Sequence, residues 1–140
     1  MNDSIAADIA AIIAGFGSAM LFFRIERELR ISEEGEVTWI PWADWLLIAG
    51  TLVSLLLVIF PIVGLKSRPS MLASLPMAGC AAASIMVAGY ILGILAHYRL
   101  IFGKGRTGPR DNPEPAERWI VILSVVFAVA VFLLVLLGIL

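Results

Sequence analysis

The ionisable side chains that could do chemistry in this chain are few, and most of them fall at one depth. Asp44 lies between Trp42 and Trp45 at the start of an apolar run. A carboxylate is costly at that depth unless a cation pairs with it, and Arg24 and Arg99 are the nearest candidates. Arg27, Glu28, His97 and Arg118 join them at the same rim. Such a rim could form a pocket for an anionic headgroup or for a partner protein. The plainer expectation is a set of interfacial charges that pair with one another and with lipid phosphates.

His97 is the single histidine. One imidazole cannot supply paired haem ligands or a three-ligand zinc site, so no metal or cofactor is expected. Asp8 lies about one turn into the first apolar segment, where it reads as part of an ion path or as an edge carboxylate in reach of water. Ser18, Thr51, Ser54 and Ser84 lie deeper, with no base at their level. Their hydroxyls are expected to bond the preceding turn or a neighbouring helix, and no catalytic residue is assigned. The run Gly103-Lys104-Gly105-Arg106-Thr107-Gly108 lacks the spacing of a phosphate loop and reads as a flexible basic loop beside anionic lipid.

The elements that must position these groups are membrane spans. The chain has 140 residues, 61% apolar and 15% charged, far from the make-up of a soluble domain. Four apolar segments each reach the ~20 residues needed to cross a bilayer. The expected fold is therefore all-α: an integral membrane four-helix bundle forming one domain over residues 1–140, with short loops and no soluble domain. The helices are expected at about 4–31, 41–61, 71–102 and 113–140. Asp3 and Asp8 stand where a signal peptide would be basic, so the first segment is expected to be retained. The single Cys80 excludes an intrachain disulfide and a four-cysteine relay.

The third segment is the hub. Ala78, Ala82, Gly89, Gly93 and Ala96 form one stripe along a helix, and Gly89-x-x-x-Gly93 is the pattern that lets two membrane helices approach closely. Cys80, Val87, Ile91, Ile94 and Tyr98 take the other face, and this helix is expected to run on through Arg99. The first segment has a small stripe of its own, Ser4, Ala7, Ala11, Ala14 and Ser18 with Gly15 beside it, which marks it as the expected partner of the hub. Beyond the membrane it should continue for one or two turns through Arg24–Ile31.

Thr38 is placed to cap the second helix, with Pro41 in its first turn and Pro61 kinking or ending it. Asn112 and Pro113 read as the N-cap and first residue of the fourth helix, which is apolar on all sides and expected to face lipid.

Orientation follows from counting. Arg24, Arg27, Arg30, Arg99, Lys104, Arg106, Arg110 and Arg118 fall in the first and third connections, against Lys66 and Arg68 in the second. That bias makes the two long loops cytoplasmic and both termini external, in a cell (inner) membrane. The expected partners are the bilayer, anionic headgroups at the cytoplasmic rim, and copies of the chain or a membrane partner protein, with no nucleic acid. The function read from these features is a non-enzymatic subunit of a membrane oligomer. The alternatives are a small channel or transporter whose path forms in the oligomer, and a lipid-modifying enzyme with its site at the rim.

Overall fold

The computed structural model describes residues 3–33, 40–65, 72–101 and 113–140. Four helices, α1 (Asp3–Glu33), α2 (Trp42–Gly64), α3 (Leu75–His97) and α4 (Pro115–Leu136), are each long and apolar enough to span a membrane. They build the all-α four-helix bundle that the apolar segments lead one to expect. α1 stays helical from its apolar half through Arg24 and Glu28 to Glu33, because that polar run consists of good helix formers with apolar residues in phase. The N-cap assigned to Thr38 and the N-cap assigned to Asn112 lie outside the described residues, as does the basic loop from Gly103 to Gly108.

Two helix starts differ in detail from expectation. Pro41 occupies the cap position in extended conformation rather than the first turn of α2. Glu114 does the same for α4, with Pro115 and not Pro113 opening the helix. Both prolines sit where a missing N–H costs nothing.

Pro61 neither ends nor breaks α2. The helix widens into π turns over Ser54–Ile59 before closing again over Phe60–Gly64. The Phe60 N–H donates five residues back, to Leu55 O. A proline ring clashes with the carbonyl four residues before it. Widening the turn immediately upstream moves those carbonyls aside and keeps the span intact.

α3 is central. Ala78, Ala82, Gly89, Gly93 and Ala96 are all buried. Its most extensive packing is with α4, followed by α2, and its contact with α1 is smaller. The pairing of hub with first helix is thus corrected. A Cβ at Gly89 would meet Ser124 of α4, and one at Gly93 would meet Ala43 of α2, so the small stripe of α3 serves those two neighbours.

The stripe assigned to α1 is also displaced. Its buried face is Ala6, Ala10, Ile13, Ala14 and Gly17, whereas Ser4, Ala11, Gly15 and Ser18 are exposed. Gly15 and Ser18 therefore do not pack helices together within the chain. Cys80 departs as well: it is buried in a cluster with Ala6, Ala10 and Val58. Toward the other end, Ala43, Leu46, Leu47, Tyr90 and Val121 form a second cluster. α4 buries a narrow line, Glu117, Val121, Ala128 and Val135, and turns the rest of its apolar surface outward.

Candidate functional site

The rim cluster is made from the end of α1, the start of α2, the end of α3 and the start of α4. Arg24 donates from Nε to Asp44 Oδ2 at 2.9 Å and from a terminal nitrogen to the Tyr98 hydroxyl at 3.1 Å. The Arg24 and Asp44 side chains are only 12% and 4% exposed. Their pairing is what allows a carboxylate to sit at this depth. Arg27 also hydrogen-bonds the Tyr98 hydroxyl, with its guanidinium carbon 5.5 Å from the ring centroid.

Tyr98 lies just past α3. Burial raises the pKa of its phenol, but the hydrogen bonds and charges of Arg24 and Arg27 outweigh burial and hold it below the ordinary value.

A second set of contacts adjoins the first. His97 Nδ1 lies 2.8 Å from Glu117 Oε2. Glu117 Oε1 accepts the Ala43 N–H at 2.9 Å. That N–H is one of the donors a helix start leaves unpaired, so α4 supplies the cap that α2 lacks locally. His97 and Tyr98 stack edge-on, with ring centroids 5.1 Å apart. The first turn of α2 is thus held from α1 through Asp44 and from α4 through Ala43, with α3 contributing to both holds.

The third contact fixes the exit of α3. Arg99 has a φ of +57°, and the Arg99 N–H bonds Ala96 O while the Leu100 N–H bonds Leu95 O. This is a Schellman ending with arginine at the position that glycine usually takes. It terminates the helix at His97, short of the run through Arg99 read from the sequence. Arg99 then donates to Glu114 Oε1 from Nε at 3.0 Å and from a terminal nitrogen at 2.8 Å. Arg99→Gly should accordingly be more stable than Arg99→Ala by about 1 kcal/mol, since both lose the carboxylate but only glycine relieves the backbone. Thermal melts of the two variants in the same detergent check this.

Of the residues singled out by sequence, Arg24, Asp44, His97, Arg99 and Arg27 come together. Arg24 is the partner of Asp44; Arg99 takes Glu114 instead. His97 is more than an interfacial ring beside Tyr98, being 5% exposed and bonded to Glu117. Glu28 lines the groove next to Arg24 without joining the ion pairs formed among the described residues. Arg118 is exposed. Asp8 is exposed near the N-terminal end of α1, far along the helix from this cluster.

Sequence reasoning missed Glu114 and Glu117. The signal was there: Glu117 precedes Val121, Ala128 and Val135 by helical repeats, so a carboxylate lies in phase with the buried line of α4.

Thr51 and Ser84 bond the carbonyls of Leu47 and Cys80, four residues back, as hydroxyls in membrane helices are expected to do. Ser74 crosses to Leu136 O. Among the described residues, two buried side-chain polar atoms lack partners, Ser54 Oγ and Asp44 Oδ1. Among the described residues, no three His, Cys, Asp or Glu side chains group into a metal site.

Chemically, this cluster clamps the four helices together, and Asp44, whose Oδ1 has no hydrogen-bond partner, lines the adjoining groove. No protein family, curated protein or solved structure matches the chain.

Proposed function

We propose that the chain is a non-enzymatic multi-pass membrane subunit that assembles with copies of itself or with a membrane partner. Its two long loops lie on the cytoplasmic side, following the distribution of basic residues. One observation carries the reading: α1 leaves a small-residue face uncovered. Ala11, Gly15 and Ser18 are exposed, and nothing lies within 4 Å of a Cβ built on Gly15. The bundle packs through a different face of that helix, so this one is available for close approach by another helix. The rim supports the reading too, since its charged groups are used in holding helix ends.

A second reading, a channel or carrier whose path forms only in the oligomer, draws on the position of Asp8. At about 100° per residue, Asp8 and Gly15 fall on the same face of α1. Assembly through that face brings the carboxylates of neighbouring copies toward one another.

Gly15→Leu tests the assembly. In mild detergent the wild-type chain is expected to run as an oligomer by light scattering, and the variant as a monomer. The variant's helical content should be unchanged, because the added side chain meets nothing inside the bundle. A monomeric wild type, or an oligomer indifferent to leucine at this position, overturns the proposal. Labelling at positions 66 and 104 should report opposite sides of the membrane.

A further inference from the structure

We infer that the groove between α1 and α2 at the rim is a binding site for a bilayer lipid with a primary ammonium head, of the aminophospholipid class. The groove encloses about 310 Å³, at the small end of ligand sites. It holds a head and the first part of a chain, with the remainder of the lipid left in the bilayer. Its walls are apolar, from Leu21, Ile25, Leu29, Ile40 and Ile48. Ile25, Leu29 and Ile40 are more than half exposed, so the groove opens on the outside of the bundle, where bilayer lipid reaches it directly.

The chemistry of the head follows from the charged lining. The charged residues of the lining are Arg24, Asp44 and Glu28, which leaves one negative charge in excess. Arg24 is already engaged by Asp44 and Tyr98. Asp44 is 3% exposed, and its Oδ1 has no hydrogen-bond partner. A buried carboxylate oxygen without a donor carries a substantial penalty.

The group that removes this penalty must donate a hydrogen bond and is favoured if it is cationic. A primary ammonium meets both conditions, with Glu28 as a second acceptor. A quaternary choline head has the charge but no N–H, and an anionic head has the wrong sign. Asp44 lines the groove and its Oδ1 is shielded from water, so the entering head parts the isoleucine walls to reach it. This assignment stands apart from the assembly reading, since it concerns the rim end of α1, from Leu21 onward, and needs only one copy of the chain.

Native mass spectrometry of the delipidated protein, titrated with lipids of identical chains, tests the site. Phosphatidylethanolamine is expected to bind with one preferred site, about tenfold tighter than phosphatidylcholine. Mono- and dimethylated ethanolamine lipids should fall between. Glu28→Gln and Asp44→Asn should each shrink the preference, the latter to about twofold or less. Should Asp44→Asn fail to fold, Ile48→Trp fills the groove from its wall and should abolish the preferred site while the thermal melt is retained. Equal binding of ethanolamine and choline lipids overturns the inference. So does preference for phosphatidylglycerol, or for diacylglycerol, which would assign the groove to an anionic or hydroxyl head.

Discussion

Glu117→Ala is expected to destabilise the bundle by about 2–5 kcal/mol, since two buried partners each lose a hydrogen bond at about 1–3 kcal/mol apiece. The residue is 0% exposed and holds two unrelated groups. One is the imidazole of His97 at 2.8 Å; the other is the Ala43 N–H at 2.9 Å, at the start of α2. Alanine leaves a buried ring and an unpaired backbone donor, with a void where the carboxylate was. Its carboxylate also sits near the N-termini of both α2 and α4, where a helix macrodipole favours negative charge.

Glu117→Gln keeps an acceptor for the Ala43 N–H and should lose less, about 1–3 kcal/mol. His97→Ala in the Glu117→Ala background should add little, because the pair is already broken. Unfolding by a denaturing detergent, followed by circular dichroism, separates these cases. If Glu117→Ala unfolds at the wild-type midpoint, the rim does not clamp the helices.

Why the spans were legible and this clamp was not is a question of which physical signal each depends on. Hydropathy over ~20 residues decides a span, and it needs no knowledge of neighbours. The small stripe of α3 was legible for a similar reason: Gly89 and Gly93 stand out against a run of larger side chains, and one face has all of them. On α1 the same reasoning chose the wrong face. Ala6, Ala10, Ala14 and Gly17 are as small as Ser4, Ala11, Gly15 and Ser18, so size alone does not select between adjacent faces. The choice is made by what α2 presents, notably Thr51 against Gly17.

On α4 nearly every position is apolar, and periodicity carries no contrast there until Glu117 is included in the pattern. That Asp44 pairs with Arg24 or Arg99 could be read from depth, because a buried carboxylate demands a cation. The choice of Glu114 by Arg99 could not, since it depends on a left-handed residue ending α3 where no glycine announces a stop.

Gly89 is the position at which close approach has the most to lose. A Cβ there would overlap Ser124 Oγ and lie 2.5 Å from Ser124 Cβ and 3.1 Å from Leu46 Cδ1. Rotating the serine hydroxyl away relieves only the first of these, because Ser124 Cβ is fixed to the backbone of α4. Gly89→Ala should therefore force α3 and α4 apart and destabilise the chain by about 1–3 kcal/mol, the usual range for overpacking. Gly89→Leu should exceed it and abolish the fold in harsher detergents.

The sign is what makes the result informative. In an open helix position alanine is more favourable than glycine by up to about 1 kcal/mol. Gly15→Ala, with no atom within 4 Å of the new carbon, should go that way in the monomer. Ser124→Gly combined with Gly89→Ala should recover stability beyond the sum of the single changes, by about 0.5–3 kcal/mol of coupling. Because exclusion of water contributes little between helices in lipid, the contact of α3 with α4 depends on backbone proximity. Should alanine at position 89 melt like alanine at position 15, proximity at that crossing is not what holds the two helices, and the central place of α3 has to be explained by the rim contacts alone.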